Sequence, residues 1–386
     1  MVTVTIGSPG LGLAEPWRDL VARSSANVFM DPAALNAVSG MQFADVRILL
    51  AWEQGAEPPR LVGLWALRLH KAGPLWPAVL EGLPHDYAVL SNPVVDPLYV
   101  ADVIPAFFAA IAGSGLPHVI SLHSFDTEQP SYAAIVSAMA KQGGAPLKLR
   151  ESLRPVVTRS FGIKKSGATR KKLRQDTNRL AAIGRVDVLN ERAPADVRAA
   201  FEVFLAMEAA SWKGKRGTAL LCNPDDAAFA RQLVSELAEQ NNASVALLRV
   251  EGRAIAAQVL MYCGATAYTW KIAYVREYAR FSPGTLLVDK VAEQLFAIPG
   301  IEAVDSCAVD EGFMGQLWAE RRNMVDMLVD VRPGRSLRFA VEAVRQRTYY
   351  LLRAFRNWLR ARCRSFVPRK TGSGKAAAET SKYTRV

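Results

Sequence analysis

The sequence predicts an α/β (α+β) fold of two lobes, each a mixed and mostly antiparallel sheet flanked by helices. A C-terminal basic amphipathic helix follows. The chain has 386 residues, more than one typical domain holds. Half of the residues are hydrophobic and 22% are charged, as in a folded globular protein. Apolar runs with strand and helix periodicity alternate along the chain. We therefore expect lobes at 1–155 and 156–333, with the helix and a disordered tail at 334–386.

The first lobe begins with a predicted β-hairpin. Apolar runs at 46–53 and 61–70 flank a turn-rich segment at 55–59. Further along, the patterns predict helices at 99–112 and 131–141, a strand at 118–125 and an extended crossing segment at 147–158.

The second lobe opens with a basic helix, for which Ser166 is a candidate N-cap and Gly184 a stop. A strand begins at 186, and helices follow at 195–210 and 225–240, the second one led by Asn223 and Pro224. A three-stranded meander is predicted at 244–250, 254–262 and 267–275. It is followed by a helix at 286–297 and by strands at 302–307 and 324–331.

The formal net charge of +12 is concentrated at one end. Residues 331–386 contain 15 Lys and Arg against two Glu, and the preceding chain contains 33 basic and 34 acidic residues. The body is therefore nearly neutral, and we expect no specific nucleic-acid partner.

The four cysteines lie far apart and the histidines show no metal-ligand spacing, so the sequence predicts neither a zinc site nor a disulfide framework. The N-terminus lacks the basic and apolar regions of a secretory signal. We expect a cytoplasmic protein without a metal.

A glycine-containing turn follows the predicted meander and opens a helix. Its residues are Arg280, Phe281, Ser282, Pro283, Gly284 and Thr285. A helix start presents N–H groups without intrahelical partners and the positive end of the dipole, which suits a diphosphate. Gly284 permits close approach of the backbone, and Arg280 adds a cation. A plain helix start is the alternative interpretation.

With the surrounding order of elements, this segment resembles the acetyl-CoA loop of the GNAT (GCN5-related N-acetyltransferase) superfamily, Arg/Gln-x-x-Gly-x-Gly/Ala. Pro283 and Thr285 depart from that pattern. The departures are similar to those of the branch that contains the cellulose-biosynthesis-type acetyltransferases and the tandem Fem peptidyltransferases. Segments 169–184, 208–214 and 268–287 resemble the same branch.

The resemblance implies an acyl-CoA cofactor, most simply acetyl-CoA, with pantetheine against the main chain of Lys271, Ile272, Ala273 and Tyr274. It implies that Arg280, Ser282, Pro283, Gly284 and Thr285 surround the diphosphate. Trp212, Lys213 and Trp270 are the implied substrate-binding residues. The alternative for Trp212 is a half-buried side chain that anchors its helix. The alternative for Lys213 is a solvated charge on the surface.

Transfer to an amine requires a base, because only the neutral amine is nucleophilic. The candidate carboxylates are Asp305, Glu208, Asp310 and Glu311, and Asp305 is the first choice because it lies on an apolar strand. A hydrogen-bonded structural carboxylate is the alternative for Asp305. Tyr278 is a candidate acid toward the leaving thiolate.

From 337 to 366, apolar residues recur at helical spacing and arginines occupy the other faces. This pattern is typical of a helix in an anionic inner-leaflet interface, and docking of the apolar stripe on the second lobe is the alternative.

The resemblance implies an acyltransferase that acts on an amine, or less readily a hydroxyl, of a cell-envelope or exopolysaccharide precursor. Two alternatives remain: an aminoacyl-tRNA-dependent Fem-type peptidyltransferase, and a non-catalytic membrane-associated scaffold of a polysaccharide synthase.

Overall fold

The computed structural model describes residues 2–8, 10, 12–40, 43–73, 76–163, 166–310, 312–334 and 336–365. The strands are β1 Val2–Gly7, β2 Val46–Glu53, β3 Leu61–His70, β4 Val79–Glu81, β5 Val94–Val95, β6 Val119–Asp126, β7 Leu147–Thr158, β8 Val186–Glu191, β9 Ala243–Val250, β10 Arg253–Cys263, β11 Thr266–Tyr274, β12 Ala303–Asp305 and β13 Glu320–Asp330. The helices are α1 Ala14–Val21, α2 Pro32–Gly40, α3 Val100–Gly113, α4 Pro130–Lys141, α5 Ala168–Ala181, α6 Pro194–Ala210, α7 Trp212–Lys215, α8 Pro224–Glu239, α9 Pro283–Ala297, α10 Phe313–Leu317 and α11 Leu337–Ser365. Short 3₁₀ helices span Val28–Met30, Leu220–Cys222 and Arg276–Phe281.

The strands of the described chain form one mixed sheet. Its order is β1-β2-β3-β4-β6-β13-β7-β12-β11-β10-β9-β8, and β5 pairs with β3 beside this path. Neighbours are antiparallel except for β4 with β6 and β11 with β12, which are parallel. The predicted fold class, a mostly antiparallel α/β arrangement flanked by helices, is confirmed.

Strand β7 connects the two halves of the sheet. Its residues from Leu147 to Val156 pair with β13, and its last residues, Val156 to Thr158, pair with β12. Strand β13, which comes last in the chain, lies between β6 and β7. The predicted lobe boundaries therefore cross a continuous sheet, and they stay a prediction.

Helices cover the sheet over two main cores. The larger core combines the first lobe with α6 and α8, and the rings of Phe43 and Phe229 stack across it at 4.4 Å between centroids. The second core lies under α5, α9 and α10 and includes Leu173, Leu287 and Leu317. Burial of these apolar faces holds the elements on the sheet.

Helix starts follow local capping chemistry. The Asn223 side chain accepts a hydrogen bond from Asp225 N–H at 3.0 Å, and Pro224 begins α8, as predicted. The prediction of Ser166 as the cap of α5 is wrong, because the N-cap is Gly167 at φ 108°, a conformation that favours glycine.

Phe339 and Ala343 of helix α11 share a small core with Val79, Val119 and Leu328 of β4, β6 and β13, and β7 packs against this core. The alternative that the predicted apolar stripe docks on the second lobe is wrong, because a different face of the helix is buried and Leu351 is 70% exposed. Among the described helices, none is long and apolar enough to cross a membrane.

Candidate active site

Strands β11 and β12 pair in parallel over three residues, and β12 then ends at Asp305. The paired residues are Thr266 with Ala303, Ala267 with Val304 and Tyr268 with Asp305. Beyond Tyr268, β11 stays paired with β10, and the register shifts by one residue between Tyr268 and Lys271. This shift is a β-bulge in β11 at the point where its pairing with β12 ends. Residues 270–273 of β11 therefore lie beyond the pairing with β12.

The start of α9 packs against this part of β11. Ser282 has the left-handed conformation at φ 51°, and the first helical hydrogen bond runs from Leu286 N–H to Ser282 C=O at 3.0 Å. The N–H groups of Gly284 and Thr285 precede that bond and have no intrahelical partner. A Cβ on Gly284 would lie 3.5 Å from Ile272 Cδ1, in van der Waals contact. The start of α9 and the part of β11 beyond its pairing with β12 are thus adjacent.

Two cations flank the start of α9. Lys172 of α5 donates to Ser282 Oγ at 2.6 Å and to Asp176 Oδ2 at 3.0 Å, and its side chain is 63% exposed. Arg280 is also exposed. A buried ion pair between Arg170 and Asp289 fixes α5 on α9. Lys172 was not predicted as a site residue, although it lies in the basic run at 169–174.

Glu208 and Lys213 lie beside the same strand edge. Lys213 Nζ is 2.8 Å from Glu208 Oε1 and 3.5 Å from the carbonyl oxygen of Ile272. Leu220 N–H donates to Glu208 Oε2 at 2.9 Å, so both carboxylate oxygens are bonded. Burial alone would raise the pKa of Glu208, but Lys213 and Lys271 outweigh it and leave the pKa below its ordinary value.

A tight corner between α6 and α7 brings Lys213 to this position. Ser211 caps α7 by accepting from Lys213 N–H at 3.1 Å. A Cβ on Gly214 would lie 1.8 Å from Ala209 O, so only glycine fits there. Trp212 on the same corner is half-buried, and the Arg216 guanidinium lies 4.9 Å from its ring centroid.

The Lys271 side chain reaches aromatic residues from both lobes. Its Nζ lies 4.4 Å from the ring centroid of Tyr87 and 5.1 Å from that of Trp270. Trp270 Nε1–H donates to the carbonyl oxygen of Tyr87 at 3.1 Å. Burial lowers the pKa of Lys271 to about 8, although nearby Glu208 opposes the shift. Neither the side-chain role of Lys271 nor the contribution of Tyr87 was predicted.

Asp305 lies outside this group of side chains. Its side chain is 0% exposed, and Oδ1 accepts from Cys307 N–H at 2.7 Å. Arg322 Nη1 lies 3.0 Å from Oδ2, and Arg154 Nη1 lies 3.6 Å from Oδ1. A fully buried, doubly paired carboxylate fits the structural alternative, so the first choice of base loses its geometric support.

The remaining acid–base candidates also stand apart. Asp310 forms an ion pair with Arg321. Tyr278 is half-buried in the 3₁₀ helix before α9, with its ring centroid 6.4 Å from that of Phe281. Glu311 lies outside the described residues. Of the three candidate carboxylates that the structure describes, Glu208 is the one whose pairing partner also approaches the β11 edge.

The family model of the Acetyltransferase (GNAT) domain matches residues 167–313, which include α5, β11, α9 and β12. This part of the chain is a GNAT acetyltransferase domain, and the protein is an acyltransferase. GNAT domains use acyl-CoA in general. Within the described ranges, no three His, Cys, Asp or Glu side chains are grouped to hold a metal ion.

Three solved structures share the fold. FemX aligns with a TM-score of 0.55 at 12% identity, over 76% of this chain and 86% of that one. L-PGS from Bacillus licheniformis aligns with a TM-score of 0.51 at 14% identity, over 88% and 97%. The DUF2156 C-terminal domain of an Agrobacterium fabrum protein, named as a lysylphosphatidylglycerol synthetase, aligns at 0.52 and 16%, over 86% and 94%. At these identities the likeness concerns the fold alone. Comparison with curated protein sequences finds no match.

Proposed function

We propose that the protein transfers an acyl group, most simply acetyl, from acyl-CoA to an amine, or less readily a hydroxyl, of a cell-envelope or exopolysaccharide precursor in the cytoplasm. The observation that carries the proposal is the end of the β11–β12 pairing at a bulge in β11, with the start of α9 beside it. The resemblance to cellulose-biosynthesis-type acetyltransferases supports the acceptor class. The exposed cations Lys215 and Arg216 beside Lys213 favour an anionic acceptor.

The residues at the β11 edge and the start of α9 fit an acyl-CoA, which supplies the acyl group as a reactive thioester when bound. The edge of residues 271–273 that faces away from β10 offers main-chain donors and acceptors for the amides of pantetheine. Gly284 and Thr285 N–H, together with Lys172 and Arg280, offer donors and positive charge for the diphosphate. Pro283 contributes no N–H, and the Lys172 ammonium beside Ser282 compensates for that missing donor.

We assign Lys271 as the group that takes the proton from the acceptor amine. A lysine with a pKa of about 8 is partly neutral near pH 7 to 8, whereas an ordinary lysine is almost wholly protonated there. Lys271 lies beside Ile272, whose carbonyl faces Lys213. Glu208 and Lys213 then position the site electrostatically, because their mutual pairing leaves neither free to accept a proton.

The test is calorimetric titration of the folded protein and of Thr285→Glu with acetyl-CoA. A glutamate in the first turn favours the helix dipole, so Thr285→Glu should keep or slightly raise the melting temperature. The same charge stands where the diphosphate would bind, so affinity should fall at least tenfold. The opposite signs of the two effects separate loss of the site from loss of the fold.

Ala195→Glu is the matched control, because it adds the same charge to the exposed first turn of α6. By helix rise it is about 20 Å from Glu208, and it should leave binding unchanged. If the folded wild type binds no acetyl-CoA, the proposed donor is wrong. The Fem-type and scaffold alternatives then gain, and transfer from an aminoacyl-tRNA distinguishes between them.

A further inference from the structure

Helix α11 contacts the protein along one face only. This docked face consists of Phe339, Glu342, Ala343, Gln346 and Tyr350. The first four are at most 8% exposed, and the Tyr350 hydroxyl donates to Asp326 Oδ2 at 2.8 Å. After Tyr350, the described side chains up to Arg362 are exposed or, at Arg353, half-exposed. The helix is therefore anchored at its beginning and projects from the body at its end.

A second, apolar face points the other way. This outward face consists of Val344, Leu351, Leu352, Phe355, Trp358 and Leu359, which are between 41% and 70% exposed. At 3.6 residues per turn, these positions span about a third of the circumference and lie roughly opposite the docked face. The fixed orientation of the docked face therefore keeps the outward face away from the protein.

The outward face is aromatic at its far end and is flanked by positive charge. The rings of Phe355 and Trp358 stack at 5.9 Å, and the Arg362 guanidinium lies 4.9 Å from the Trp358 centroid. Residues 347–365 contain six arginines and no Asp or Glu. Apolar and aromatic side chains in a segment of net positive charge match a surface that is both apolar and anionic.

We propose that the outward face of α11 lies in the interface of an anionic lipid bilayer and that the docked face holds the enzyme there in one orientation. A second copy of the chain fits less well. Pairing of two such helices would place the six arginines of one copy near the six of the other, and residues 347–365 contain no acidic residue to pair with them. The inference is independent of the proposed function, since lipid binding needs neither donor nor acceptor.

The experiment is vesicle flotation of the full chain with phosphatidylcholine alone and with about 30 mol% phosphatidylglycerol. Wild type should float with the anionic vesicles only, and raising NaCl from about 0.1 M to about 0.5 M should weaken its binding. The double variant Phe355→Asp, Trp358→Asp should partition at least about tenfold less. Leu98→Asp is the control, because Leu98 is 87% exposed on the first lobe. It should bind like wild type.

All substituted side chains are exposed, so circular dichroism melting should be unchanged. If the aspartates unfold the helix, the same positions changed to serine give the same comparison. Wild type that does not float with anionic vesicles overturns the proposal, as does a folded double variant that floats equally well. Sedimentation provides the other refutation. If wild type is a dimer that does not bind vesicles and the double variant is a monomer, the outward face belongs to an interface with a second copy.

Discussion

Removal of the Lys172 ammonium should weaken CoA binding by about fivefold. In the protein this group lies 2.6 Å from Ser282 Oγ, next to the first turn of α9. A hydrogen bond to a charged group contributes about 1.5–3 kcal/mol. The Lys172 side chain is 63% exposed, so solvent screening reduces its contribution to about 1 kcal/mol. That free energy corresponds to about a fivefold change in Kd.

A ligand series identifies the phosphate that Lys172 contacts. Calorimetric Kd values for CoA, dephospho-CoA and pantetheine are compared between wild type and Lys172→Ala. Because Lys172 adjoins the helix start, the ratio of Kd values should be about five for both CoA and dephospho-CoA and about one for pantetheine, which lacks the diphosphate. Lys172→Glu should increase the ratio for CoA to about thirty, because the sign of the charge is reversed.

Lys171→Ala is the matched control, since Lys171 is exposed on the same helix and its loss changes the net charge equally. If Lys171→Ala has as large an effect as Lys172→Ala, Lys172 acts only through the general positive charge of α5. A ratio that falls to one with dephospho-CoA would assign Lys172 to the 3′-phosphate. Either result refutes diphosphate recognition by Lys172.

Three further predictions concern the acceptor side and the buried ion network. Reductive ¹³C-dimethylation should give one lysine methyl resonance that titrates near pH 8 and is missing in Lys271→Arg, and titration of every lysine resonance near pH 10 would contradict the role of Lys271. Tyr87→Leu should lower this pKa by about 0.4–1.5 units because the ring favours the ammonium, whereas Tyr87→Phe should leave it unchanged. Asp305→Asn should lower the free energy of urea unfolding by about 3 kcal/mol because Arg154 and Arg322 lose a buried partner, and unchanged stability with lost activity would restore Asp305 as a base.

Most of the fold was readable from local patterns. The strands at 46–53, 61–70 and 147–158 have the predicted bounds, because apolar runs between turn residues leave few alternatives. The predicted strand at 302–307 ends at Asp305 instead. There the Asp305 side chain accepts from Cys307 N–H, and Cys307 has φ 51°. This side-chain turn competes with strand pairing and is hard to infer from an apolar run.

Other elements were missed because their signals depend on tertiary context. Strand β1 at Val2–Gly7 is a short edge strand whose partner, β2, lies some forty residues further along the chain. The insertion of β13 between β6 and β7 brings the last strand of the second lobe into the first half of the sheet. No local periodicity encodes which strand becomes the neighbour of which, because pairing is decided by contacts between distant segments.

The candidate site, too, was predicted only where its signals are local in the sequence. The turn at 280–285 was predicted because glycine, proline and a cation at a helix start are local in sequence. The choice of Asp305 over other groups followed from an apolar neighbourhood, and such a neighbourhood also describes a paired structural carboxylate. What distinguishes the two roles is the presence of Arg154 and Arg322, which come from β7 and β13. Partners on distant strands carry no signature at Asp305 itself.

The contribution of the first lobe follows from Tyr87. Its ring lies 4.4 Å from Lys271 Nζ, and its carbonyl oxygen accepts from Trp270, so two adjacent residues of β11 are held by one residue of the other lobe. Both contacts occur on β11 beyond its pairing with β12. A regular strand would point the side chains of Trp270 and Lys271 to opposite faces, whereas the bulge in β11 lets both reach Tyr87 of the first lobe. Under the proposed function, the acceptor side therefore requires both lobes, whereas the diphosphate side requires only α5 and α9.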